Sequence, residues 1–270
     1  IYVRNGVYKE KITVPGNRTN IHIIGEDADK VVFTYDDYAS KKNAVGNETG
    51  TSGSASFYVY GNGFKAENVT FENSAGPVGQ AVALFVAADK CVFKNCKIKG
   101  FQDTLYTYGE GTRQYYENCY IEGTTDFIFG KATAWFEGCT IHSKQNSYIT
   151  AAATPENVAY GYVFHDCRLT ADEGVDRVYL GRPWRPYAAV LFTGCEMGSH
   201  IRPEGWHKWG KASNEETARY GEYKNKGEGA DTEGRVAWSH QLSRKEASKY
   251  DIKHVLGGND GWNPQEKKRR

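Results

Sequence analysis

The chain has 270 residues, a formal net charge of +1, 14% aromatics including 19 tyrosines, and 30 glycines. So balanced a charge supplies no field that would call for nucleic acid or a lipid surface as partner. No run of about 18 apolar residues is present to cross a bilayer as a helix. The length suffices for a large core, and a tyrosine- and glycine-rich composition predicts many short strands with tight turns.

The opening stretch, "IYVRNGVYKEKITV", already alternates like a strand. So abrupt a start leads to the expectation that an N-terminal portion, with any export signal, has been trimmed. Farther on, five segments share one ending: "VFKNC", "YYENC", "WFEGC", "VFHDC" and "LFTGC", closing at Cys96, Cys119, Cys139, Cys167 and Cys195. The steps between them are 23, 20, 28 and 28 residues. Repeats of that length, each a few short strands joined by turns, predict a solenoid. An earlier copy, "VTFENS", is aligned with Ser74 in the cysteine slot and Asn73 in the column of Asn95 and Asn118.

In a parallel solenoid equivalent residues stack at about 4.7–4.9 Å. The cysteines then form a column of compact, buried side chains. Bridged Cβ atoms sit about 3.5–4.5 Å apart, so free core thiols are expected rather than disulfides. Cys91 falls off the column.

The same alignment has a chemical consequence. Seven residues beyond the asparagines stand Gln80, Gln102 and Thr125; eight beyond stand Ala81, Asp103 and Asp126. "GQAVALF", "FQDTLYT" and "TTDFIFG" become neighbouring rungs, and Asp103 and Asp126 vertical neighbours. A single aspartate at a turn usually does no more than face water or cap backbone amides. Two carboxylates one rung apart resist joint ionisation, which favours one nucleophile or base and one acid. Glutamine amides beside them offer donors for an oxyanion. Tyr106, Phe127 and Phe129 lie close by.

After about residue 200 the repeat is lost, and the segment is expected to wrap or cap the solenoid end, covering its open edge. In "SNEETARYGEY" Ser213 or Asn214 could cap a short helix ending before Gly221. The tail "KKRR" reads as a solvated end. No linker is visible, so residues 1–270 form one domain.

The ordered set "GVYKE" (6–10), "GQAVAL" (79–84), "QDTLY" (102–106), "DFIFG" (126–130) and "LGRPW" (180–184) resembles the pectin methylesterases, carbohydrate esterases of plants and microbes. "ENVTFENSAG", "PEGW" and "YGEYKNKGEGA" are also similar, so the likeness runs from residue 2 to about 264. The resemblance implies an all-β fold, a right-handed single-stranded parallel β-helix with short helices or loops at its C-terminal end; that hand is also the general preference of parallel crossovers. It implies a secreted or periplasmic hydrolase that removes methyl esters from galacturonate in pectin with no metal or other cofactor. Asp126 would be the nucleophile and Asp103 the general acid and base. Gln102 and Gln80 would form the oxyanion hole, and Arg182 would orient Asp126. Trp184, Phe129, Trp206, Tyr106 and Ser56 would contact sugar. Many relatives carry Thr where this chain has Ser56.

Two other classes compete. A pectate lyase on a similar β-helix would want a calcium cage of several acidic oxygens plus a base; a polygalacturonase would pair acids without flanking amides. A non-catalytic polysaccharide-binding β-helix would keep the aromatics and lose the acids. The seven histidines show no metal-ligand spacing, and "KGEGADTEG" lacks the ending of a phosphate loop. "NRT", "NET" and "NVT" fit the glycosylation sequon. A monomer acting on pectin, with neither nucleic acid nor membrane as partner, is the expectation.

Overall fold

A computed structural model describes residues 1–210 and 212–265; the "KKRR" tail lies outside them. Three parallel sheets of ten, eight and seven strands run the length of the molecule. Each coil contributes one short strand to each sheet, as in Cys91–Lys94, Lys97–Lys99 and Leu105–Thr107. The architecture is a single-stranded parallel β-helix. No helix among the described residues is long and apolar enough to cross a membrane.

Inward positions stack as ladders. Phe71, Ile98, Ile121, Ile141, Leu169 and Met197 follow one another in register on the second sheet, all buried. On the first sheet Phe93, Tyr116, Phe136, Phe164 and Phe192 stack with centroid separations of 4.9, 4.8, 4.5 and 4.3 Å and nearly parallel rings. A coil spacing of about 4.8 Å makes like-on-like stacking automatic. The solenoid thus fills its interior with repeated residue types.

The corner between the first two sheets turns on one residue of left-handed backbone. Asn68, Asn95, Asn118, Gly138, Asp166 and Gly194 occupy it with φ of 55°, 51°, 52°, 59°, 50° and 67°. Asn, Asp and Gly are the types that tolerate this region. Immediately after it come Cys96, Cys119, Cys139, Cys167 and Cys195, all buried and unbridged. Their thiols donate to backbone carbonyls of the coil beneath, for example Cys119 Sγ to Phe93 O at 3.5 Å. Burial pushes the Cys96, Cys139 and Cys195 thiols well up, as expected of inert core groups.

The register corrects one alignment. Lys97 pairs with Thr70 and Ile98 with Phe71, so Cys96 lies over Val69 and Asn95 over Asn68. Ser74 and Asn73 belong elsewhere: Ser74 Oγ donates to Tyr35 O at 3.1 Å in an exposed connection. Two Asn-plus-hydrophobe patterns stand five residues apart there, and hydrophobic spacing does not choose between them. A longer connection, residues 74–79, restores the register by Gln80, which bridges to Gln102.

Beyond residue 200 the coil goes on for one more rung: Arg219–Tyr223 pairs in register with Ala189–Thr193, and His240–Gln241 adds an edge. The short helix spans Ala212–Thr217 and ends before Gly221 as expected, but Ser213 and Asn214 lie within it and do not cap it; Gly221 belongs to the following strand. Two further helices, Arg244–Ala247 and Ile252–Leu256, follow. Val255 and Leu256 pack on the outer face of the first sheet with Val92, Tyr115, Trp135, Val163 and Leu191. Arg113 fastens this return: its guanidinium donates to Asp89, to Asp260 and to the Leu256 carbonyl.

Candidate active site

The third sheet carries the cleft. Asp103 and Asp126 stand just before the strands Leu105–Thr107 and Ile128–Gly130, which pair Leu105 to Ile128. Asp103 N donates to Thr125 O at 3.0 Å and Asp126 N to Tyr148 O at 2.8 Å, so each main chain is held by the next coil. Both residues take left-handed backbone, φ 66° and 50°. The same conformational device that turns the asparagine corner here lifts two carboxylates out of the sheet. Gly130 closes the second motif at φ 125°, where a Cβ would collide with Thr107 O.

Arg182 follows the strand Tyr179–Gly181. Its Nε donates to Asp126 Oδ1 at 3.0 Å and its Nη2 to Oδ2 at 2.7 Å, a two-pronged pair. The guanidinium is sandwiched, 3.9 Å from the Tyr148 ring centroid and 4.0 Å from that of Trp209. Gln80 Nε2 donates to Asp103 Oδ2 at 3.0 Å, and Gln102 is half-buried beside it.

The two carboxyls, 4% and 5% exposed, have different surroundings. Burial, then the neighbouring Asp126 charge, pushes the Asp103 carboxyl well above the usual range, with Gln80 opposing. Burial also raises Asp126, but the Arg182 hydrogen bonds and charge oppose it directly. The arginine fork thus favours the ionised form of Asp126, and burial without such a fork favours the protonated form of Asp103.

The cleft encloses about 490 Å³ and is lined by both acids, both glutamines, Arg182, Tyr106, Phe129, Trp184, Trp209, Ala151 and residues 49–53. Tyr106 and Phe129 stack at 4.0 Å, and Trp184 stands 6.0 Å from Phe129. A family model for pectinesterase matches residues 1–259. The chain belongs to the pectinesterase family. Pectinesterase 31 of Arabidopsis thaliana is 42% identical over 253 residues, covering 91% of this chain and 78% of that protein. Among solved structures, pectin methylesterase from carrot superposes with a TM-score of 0.87 at 35% identity, covering 96% of this chain and 83% of that one. A pectin methylesterase in complex with a hexasaccharide gives 0.85 at 29% identity, covering 99% and 90%. The fold is a right-handed parallel β-helix, and the chain is a carboxylic ester hydrolase.

Within this family member, eight of the ten residues singled out in the sequence line the cleft, Gln80 and Gln102 among them. Two of the sugar contacts are corrected. Trp206 bridges to Gly181 and turns inward, 1% exposed, 4.5 Å from Tyr220 and 5.8 Å from Phe192. It is a core residue, and Trp209, three positions on in "PEGWHKWG", is the cleft tryptophan. Ser56 is fully buried, its Oγ donating to Tyr35 O at 3.4 Å; the wall above the acids is residues 49–53 instead. Phe127 is likewise a core residue.

Tyr148 carries no signal of its own in the sequence, because its role, facing Arg182, depends on a rung 34 residues after it. Asn73 was misplaced but is structurally engaged: its Nδ2 donates to the carbonyls of Asp37, Ser54 and Val82 below the cleft wall. Away from the cleft, ligand atoms of Glu137, His165 and Asp166 lie within 4.8 Å of one another. This grouping comes from stacked coils, so histidine spacing along the chain gave no sign of it.

Proposed function

We propose that the chain hydrolyses the methyl esters of galacturonate residues in pectin, releasing methanol and leaving pectate, outside the cytoplasm where that polymer occurs. The observation that carries the mechanism is the asymmetric acid pair: one carboxylate held by a two-pronged arginine, the other buried without a cation of its own.

Asp126 attacks the carbonyl carbon of the C6 methyl ester. Charge moves to the carbonyl oxygen, where amide N–H groups of Gln102 and Gln80 receive it. Asp103 gives its proton to the methoxide oxygen as the C–O bond breaks, because methoxide is a poor leaving group. Methanol departs and an anhydride links substrate to Asp126. Water then attacks the anhydride, Asp103 takes its proton, and the Asp126 carboxylate is released into the Arg182 fork. Phe129, Tyr106, Trp184 and Trp209 offer flat faces to the sugar rings. The three ordered steps use the same two side chains in alternating protonation states.

Methanol release from highly methylated pectin, followed with and without a chelator, tests this reading. Methanol without new reducing or unsaturated ends is expected. Unsaturated ends lost on chelation would establish a lyase, new reducing ends a polygalacturonase, and binding without any product a lectin-like solenoid.

A further inference from the structure

Arg182 is held between two rings, and one of them belongs to a longer stack. Tyr148 pairs in register with Tyr179 on the third sheet, and the two rings lie 5.4 Å apart with an interplanar angle of 13°. The Arg202 guanidinium covers the far side, 4.7 Å from the Tyr179 centroid. From one end to the other the order is Arg202, Tyr179, Tyr148, Arg182 and Trp209. His207 stands beside the junction of the two tyrosines, 5.0 Å from Tyr179 and 5.3 Å from Tyr148, with interplanar angles of 51° and 45°. Its main-chain N–H donates to the carbonyl of Gly181 at 3.0 Å, the residue just before Arg182. The ring is thus placed on the stack by the same rung that carries the fork.

His207 Nδ1 is buried and has no hydrogen-bond partner among the described residues. Protonating it would bury a charged donor without an acceptor, which costs more than leaving a neutral ring nitrogen unpaired. Burial holds the imidazole below its ordinary value, and the Arg182, Arg202 and Lys208 charges push the same way, with Glu215 opposing. Glu204, the other acid on this side, is engaged by Arg202 at 3.1 Å.

We propose that His207 is a positioning residue for the nucleophile: a neutral ring wedged against Tyr148 and Tyr179 that keeps Tyr148 on the Arg182 guanidinium, and so keeps the fork on Asp126. The proposal rests on the esterase reading. It gives the stack a response to acid as well. An imidazolium at this place faces two guanidiniums, is repelled by both, and slackens the Tyr148 side of the sandwich. Arg182 then holds Asp126 less firmly.

The test follows methanol release by wild type, His207→Ala, His207→Phe, Arg182→Lys and the double variant His207→Ala/Arg182→Lys. His207→Ala is expected to lower kcat about three- to ten-fold with KM retained, the scale of one loosened cation–π face. His207→Phe restores a neutral ring and should recover most of that loss. In the Arg182→Lys background the alanine change should cost less than about two-fold, because the planar fork it steadies is already gone. On the acid side wild-type kcat should fall more steeply than a single protonation allows, and His207→Phe with a slope of about one. Unchanged kcat in His207→Ala would overturn the proposal, as would full additivity with Arg182→Lys, failure of phenylalanine to recover the loss, or identical acid limbs in wild type and His207→Phe. Should His207→Ala fail to fold, the phenylalanine variant and the two acid limbs still decide. A wild type that releases no methanol sinks the esterase reading itself, whereas normal release with additive variants sinks only the role of His207.

Discussion

Two corners of one solenoid use the same backbone trick for opposite ends. At the corner between the first and second sheets, a left-handed residue is followed by a column of small thiols bonded to carbonyls beneath them. At the entry to the third sheet, left-handed Asp103 and Asp126 expose a pair of buried carboxyls to each other. The first column repeats one contact, thiol to carbonyl, over five successive rungs. The second breaks the uniformity, since one rung has an arginine and the next has not. Repetition supplies the spacing, and a departure from repetition supplies the chemistry.

The largest break of that contrast is Asp126→Ala. Methanol release should fall by at least about 10⁴-fold while pectate binding and the folded state persist; near-normal turnover would remove Asp126 from the mechanism. Asp103→Asn comes next, with an expected loss of about 10²–10⁴-fold in kcat. Its folding signature has a definite sign. Because the folded Asp103 pKa is raised, its stabilising contribution is complete only below the unfolded value, about 3.9, and is lost as pH rises through the folded value. The asparagine variant should therefore gain on wild type as pH increases, by about 2–4 °C in Tm or more above pH 7. A pH-independent difference would mean that Asp103 is ionised in the fold.

Arg182→Lys replaces the fork by a point charge and should lower kcat about 10–100-fold. It also weakens the one influence holding the Asp126 pKa down, so the acid limb of the pH–rate profile should move to higher pH. An unmoved limb would separate Arg182 from Asp126 ionisation. On the quiet corner, Cys139→Ala should cost roughly 1–2 kcal/mol of stability, the scale of a small core truncation, with kcat and KM unchanged. Loss of activity without loss of Tm in that variant would show that the two corners are coupled.

Much of this arrangement was legible before any coordinates. The cysteine spacing gave the coil, and the coil placed Asp103 over Asp126, because stacking depends only on chain separation and repeat length. What failed was decided by direction. Trp206 and Trp209 lie three residues apart in one motif, and only the turn of the last rung tells which points inward. Ser74 entered the cysteine column because two similar segments compete for one register, and only strand pairing selects Val69. Ser56 lies close to the cleft wall in sequence yet beneath it in space.

The Arg113 fastening has a mechanical corollary. Stacked-coil proteins ordinarily fray from their ends, because each coil touches only its neighbours. Here a guanidinium on a central coil pairs with Asp260, 147 residues away in the chain, which ties the C-terminal end to that coil. Proteolytic clipping ahead of Asp260 should loosen the middle of the molecule as well as its tip.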